Sequence, residues 1–303
     1  MRNFIIYTTL VIFLFACAES GEKTGKDLLK QDKEGTKKAP KSSALSKEVL
    51  SDIMKSIPLP IEILFLIKEL SVPYEKKVLS NADDFSKYNN NYKQSVNLGI
   101  YSTDLGYANI YGQTQDALNY LTAVKGMADG LKIGEHFDFN TIKKLAGSKE
   151  KDNFEKLLLE TNKNLENINE HLQEKGRPDL TILILTAGWV EALYLTCEIA
   201  KKKPDPLLSN RIGDQKIVLD QLLLLLSFYD DNSNIKSLIE QLNRLQKMYE
   251  NVKITIKTKE ASVKTSGDVI EVGGESESII EFTSKDLDNI LGISKEIRNK
   301  MAE

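Results

Sequence analysis

Between Asp179 and Lys201 the chain carries a stretch with no polar face, opening Leu180-Thr181-Ile182-Leu183-Ile184-Leu185 and running to Ala200. A helix that is apolar nearly all round belongs at the centre of a bundle, because no side of it can face water. Its 21 residues could nominally span a bilayer. Asp179, Glu191, Glu198 and Lys201-Lys202-Lys203 argue against that, since ionised side chains are costly in lipid. The expectation is a buried core helix capped by Asp179, which requires other helices on every side.

The flanking sequence supplies them. Leu45, Val49, Leu50, Ile53 and Ile57 keep helical spacing until Pro58 and Pro60. Pro60 suits the first turn of a second helix through Ile63, Leu64, Ile67 and Leu70, ended at Val72-Pro73. One long segment is predicted from about Asp84 to Leu131, with Ile100, Tyr107, Ile110, Ala117, Leu121, Val124 and Ala128 on one stripe. Gly99, Gly106 and Gly112 interrupt it, which predicts a kink or a close neighbour, and Gly130 and Gly134 mark its end. A short helix after Phe139 precedes an amphipathic one, with Phe154, Leu158, Thr161, Leu165, Ile168 and Leu172 on one face and Gly176 and Pro178 closing it. Past the central helix, Val218 to Phe228 and the stripe Ile235, Leu238, Leu242, Leu245, Met248, Val252 form an αα-hairpin. Residues 253–282 change period. Ile254 and Ile256 alternate with polar residues, and Val263 to Val269 has the pattern strand, turn, strand. Thr283 and Asp286 carry a capping-box signature ahead of a last helix lined by Leu287, Ile290, Ile297 and Met301. The expected fold is all-α, a multi-helix bundle of about seven to nine helices with a small β-hairpin or loop insert near the C-terminus.

Composition narrows function mainly by exclusion. Lys plus Arg number 41 against 44 Asp plus Glu, a net charge of −3, without the basic excess that phosphate neutralisation needs, so no nucleic-acid partner is expected. Two histidines and two cysteines are too few for zinc ribbons, disulfide frameworks or haem attachment. The G-x-G-x-x-G, G-x-x-x-x-G-K-[ST], H-E-x-x-H, G-x-S-x-G and C-x-x-C motifs are absent from the chain. His171, near a helix end, suits the helix dipole and has no nucleophile beside it. His136 lies in a loop between Glu135 and Asp138, a solvated position rather than a metal contact. Cys197, inside Leu195-Thr196-Cys197-Glu198-Ile199, reads as a small buried hydrophobe. No catalytic residue, metal ligand or cofactor is expected, and an enzyme ranks behind a binding or structural role.

The N-terminus gives an address. Met1-Arg2-Asn3 is a short basic start, and the apolar run Phe4 to Ala16 has 13 residues, against roughly 20 for a membrane-spanning helix. That is the pattern of a secretory signal. It ends Leu14-Phe15-Ala16-Cys17, which resembles the lipobox of bacterial lipoproteins, with Phe15 departing from the usual small residue. The resemblance implies a signal peptide over 1–16, cleavage before Cys17, and acylation of Cys17 by palmitate-type chains. Two or more such chains hold a protein stably to a membrane. Ala18 stands where inner-membrane lipoproteins often carry Asp, which favours the outer membrane, on its periplasmic or its surface face. Residues 17–43 would then be a lipidated Cys and a disordered linker. Seven Lys, five acids and scattered Gly, Pro and Ser leave only Leu28 and Leu29 to bury, and 18–43 as a flexible coil reaches about 28 Å. The helical domain spans 44–303.

Two Gly-aromatic segments carry the candidate site. Asn97 to Gln113 places Tyr101 and Asp104 beside Tyr107 and Tyr111, and Ala187-Gly188-Trp189-Val190-Glu191-Ala192-Leu193-Tyr194 offers the matching oddity. Small residues let helices approach closely, so these two helices are expected to meet there. A carboxylate in such a contact must be paired, hydrogen-bonded or protonated. Tyr101, Asp104, Tyr107, Tyr111, Trp189, Glu191 and Tyr194 therefore form either a ligand-binding polar-aromatic pocket or a structural network that fixes helix register. Leu98 to Tyr107, the Ala187-Gly188-Trp189 helix and Ile297-Arg298-Asn299-Lys300 together resemble a family of uncharacterised helical lipoproteins of Bacteroidetes-type Gram-negative bacteria. The resemblance implies an all-helical domain and brings no activity. Expected partners are the membrane, through acylated Cys17, and an envelope protein or a small ligand.

Overall fold

The computed structural model describes residues 47–146, 153–258, 262–266, 269–273 and 276–303. The expected leader over 1–16, Cys17 and the expected linker over 18–43 lie outside them. The described residues build an all-α fold of ten helices with a small antiparallel insert. The helices are α1 (Lys47–Ser56), α2 (Pro60–Glu69), α3 (Asn91–Ile110), α4 (Thr114–Gly130), α5 (Phe139–Ala146), α6 (Asn153–Glu174), α7 (Pro178–Lys202), α8 (Pro206–Ser227), α9 (Ser233–Met248) and α10 (Ser284–Ala302). Strands β1 (Lys253–Thr258) and β4 (Ser276–Glu281) pair from Lys253↔Glu281 to Thr258↔Ser276, and β2 (Ser262–Ser266) and β3 (Val269–Gly273) pair inside them.

Helix α7 is the axis of the fold. Every residue from Leu180 to Cys197 is buried, with Trp189, Val190 and Leu193 at or near zero exposure. It begins at Pro178 rather than at the expected Asp179 cap, Arg177 being the residue before it, and Asp179 contributes charge to the first turn. Against α7 pack α2, α3, α6, α8 and α10, with α9 behind α8 and α10, and α4 on α3. The long helix expected over 84–131 is two helices. After α3 the chain turns at Gly112, whose φ of +66° is left-handed. Gly112 N–H donates to Asn109 O at 2.9 Å and Gln113 N–H to Ala108 O at 2.9 Å, a Schellman ending. Helix α6 ends the same way at Gly176, as its sequence predicts. At the end of α4 the left-handed residue is Lys132 (φ +63°), between the two glycines read as the stop.

Candidate functional site

The two Gly-aromatic helices do meet. A Cβ added to Gly99 on α3 would lie 2.2 Å from Ile184 O and 2.7 Å from Gly188 N on α7. Only hydrogen fits there. Thr103 Oγ1 donates to Gly188 O at 3.2 Å, a polar tie across the same contact.

One side of this contact holds the acids. Asp104 and Glu191 are both fully buried. Arg298, from α10, donates Nε to Glu191 Oε2 at 2.9 Å and Nη2 to Glu191 Oε1 at 3.3 Å. Its Nη2 also reaches Ser80 Oγ at 2.7 Å, while Ser80 N–H donates to Asp104 Oδ2 at 3.0 Å. Two carboxyls thus face one guanidinium, and the charges balance only if the acids share a proton. Burial first, then the charge of Glu191, push the pKa of Asp104 well above the carboxylate range. Burial also raises Glu191, but Arg298 opposes it with charge and hydrogen bonds. Asp104 is therefore the neutral acid and Glu191 the anion. Asp104 Oδ1 has no other donor among the described residues, which leaves it free to carry the proton. Tyr120 OH donates to Ser80 O at 2.7 Å and Tyr101 OH to Asn81 O at 2.8 Å, holding the loop that presents Ser80. Tyr194 covers the opposite side, its ring 5.2 Å from the Arg298 guanidinium, and burial raises its hydroxyl to about 12.

Of the seven residues expected at one site, Tyr101, Asp104, Glu191 and Tyr194 come together. Tyr107 and Tyr111 form a separate stack with Tyr74, at ring separations of 5.3 and 5.7 Å, and Tyr111 OH donates to Val72 O at 2.7 Å. Trp189 faces away, its Nε1 donating to Gln215 Oε1 on α8 at 2.8 Å. Two residues along a helix are about 200° apart, so Trp189 and Glu191 could not share a face. Arg298 enters the sequence only within Ile297-Arg298-Asn299-Lys300, with nothing there to mark it as the partner of Glu191, and Ser80 and Tyr120 carry no signal of their own. The charge argument called for a cation, but local periodicity says nothing about which one. Solvent reaches neither carboxyl, so this cluster can hold a proton and lock register; it cannot admit a ligand.

The cavity lies on the other side of the α3–α7 contact. It measures about 120 Å³ and none of the seven residues lines it. Its walls are Gly99, Leu105 and Gly106 of α3, Ile184, Leu185 and Gly188 of α7, and aliphatic side chains of α2, α5 and α6. Pro60, Ser102, Phe137, Thr161 and Leu165 are half-buried and form its mouth. Thr103 and Thr161 turn their hydroxyls onto helix carbonyls, Thr161 onto Leu157 O at 2.7 Å, so the wall is almost wholly carbon.

Comparison with family models, curated proteins and solved structures finds no match for this chain. Function has to be argued from the site itself.

The remaining candidates behave as ordinary parts of a fold. The His136 and His171 rings lie against each other with centres 4.0 Å apart and planes tilted by 33°, and partial burial followed by the charge of His136 lowers the His171 pKa. No cluster of three metal-ligating side chains occurs among the described residues. Cys197 is buried and burial raises its thiol pKa, as expected of a packing residue.

Proposed function

We propose that this is a lipid-anchored protein of a bacterial envelope, tethered through acylated Cys17 and most at home at the outer membrane. Its helical domain works as a binding module, and its ligand enters the cavity between α2, α3, α6 and α7. The observation that carries the binding reading is a carbon-lined space of about 120 Å³ with a half-exposed rim, set against α7. Close packing is the rule in protein interiors, so a space of this size with a mouth needs a reason. The Asp104–Glu191–Arg298 cluster takes the structural role, since its full burial supports register fixing rather than ligand contact.

Binding is tested with n-octane added to the full chain. Methyl NMR signals of Leu157, Ile184 and Leu185 should shift, and the thermal midpoint should rise as the ligand saturates the native state. Unmoved methyls and an unmoved midpoint at saturation would remove the binding reading.

A further inference from the structure

We propose that the cavity takes a single unbranched acyl chain, with the carbonyl oxygen of that chain accepting a hydrogen bond from Asn164 Nδ2. This rests on the cavity being a ligand site at all. Shape supplies the first argument. Lining residues run along α3 from Gly99 to Gly106 and along α6 from Leu157 to Ile168. At about 1.5 Å per residue those stretches are about 10 and about 16 Å long. A carbon wall extended along two helices suits an extended apolar chain.

Polarity supplies the second argument. Asn164 lines the cavity and is 4% exposed. Its Oδ1 accepts from Asp138 N–H at 3.1 Å, which fixes which way round the amide sits. Its Nδ2 then has two hydrogens to donate and makes no hydrogen bond among the described residues; it is not one of the fully buried, unpartnered polar atoms, so whatever fills the cavity can accept from it. Ser102 Oγ, half-buried at the mouth, also makes no hydrogen bond among the described residues. Neutral donors in a carbon-lined wall suit a carbonyl or carboxyl oxygen at one end of an apolar chain. They do not suit a cation, which needs acceptors, or a multiply charged anion, which needs compensating charge. Free fatty acids and ester-linked lipid chains both present this chemistry.

The experiment measures binding of decanoate, of a lysophosphatidylcholine with a ten-carbon chain, and of n-octane to the full chain by titration calorimetry and methyl NMR. Decanoate or the lysolipid should bind at the methyls of Leu157 and Ile184, and whichever binds identifies the source of the chain. Asn164→Asp keeps the acceptor for Asp138 N–H but replaces the donor with an acceptor, and should weaken acyl binding at least tenfold while leaving octane binding within twofold. Ser102→Phe, at the half-exposed mouth, should abolish binding of all three. If octane binds and neither acyl ligand does, the acyl assignment is wrong and the cavity reading survives. If none binds, both fail. Acyl binding that is indifferent to both substitutions lies elsewhere on the protein and overturns the proposal.

Discussion

Asp104 keeps its proton because burial penalises its charge and the neighbouring Glu191 anion, which takes the hydrogen bonds of Arg298, adds to that penalty. The sign of the resulting pH dependence is fixed. A carboxyl whose native pKa is raised favours the folded state fully below the unfolded carboxylate range, about pH 4, and that stability drains away as pH climbs toward the native value. Asp104→Asn supplies a neutral group of the same shape, able to accept from Ser80 N–H and donate to Glu191. Its thermal midpoint relative to the parent chain should therefore rise as pH is raised from 4.5; a difference that stays flat up to pH 8.5 would refute the protonation assignment. Arg298→Met strands the Glu191 charge and should cost about 3–5 kcal/mol in urea unfolding. Adding Glu191→Leu to Arg298→Met should recover most of that loss, because an apolar pair in the same volume removes the uncompensated charge. A double variant no more stable than the single one would mean that packing of Arg298, not its charge, holds α10 in place.

At the level of elements, α3 and α7 depend on a missing side chain. Gly→Ala in a helix interior normally gains about 1 kcal/mol. At Gly99 the added methyl would meet backbone atoms of α7 at 2.2 and 2.7 Å, which cannot rotate away. Gly99→Ala should instead destabilise by about 1–3 kcal/mol, read as a lowered denaturation midpoint with an unchanged slope. Most elements were legible in the chain. Pro60 opens α2, Gly176 closes α6, and Thr283 with Asp286 caps α10 through reciprocal bonds of 3.2 and 2.9 Å. These signals are local, so periodicity and cap chemistry reveal them. The break at Gly112 was harder to see, because the apolar stripe continues on both sides of it and one glycine reads equally as a kink or a turn. The acids and the Gly–Gly contact were legible too, since buried carboxylates and paired glycines are conspicuous. Their partner was not. Arg298 stands 107 residues from Glu191, beside Ile297 on the edge of an amphipathic stripe, and no spacing rule links them. The cavity was equally hidden, because an unfilled space leaves no mark on a sequence.

Taken whole, the domain is organised around α7, which is long and apolar enough to cross a membrane and whose apolar stretch is buried within the protein. Membrane attachment therefore falls to the N-terminus in the proposed reading. Cys17→Ala should abolish fatty-acid labelling and move the protein from the membrane pellet to the soluble fraction, with the domain's melting curve unaltered. Retention in the pellet would point to a second attachment. Of the exposed large apolar side chains of the described residues, Leu207, Ile217 and Leu224 lie on α8 and Phe228 just past its end, while Val49, Leu159 and Ile279 lie elsewhere.

Helix α10 also bears on how the bundle closes. Asn97 Nδ2 donates to Met301 O at 2.8 Å and Tyr88 OH to Ala302 O at 3.2 Å, so the last turn of α10 is fastened to the start of α3. The same helix carries the guanidinium that meets Glu191, so α10 acts as a stopper: drawn away, it would leave two acids facing each other inside the bundle with their countercharge gone.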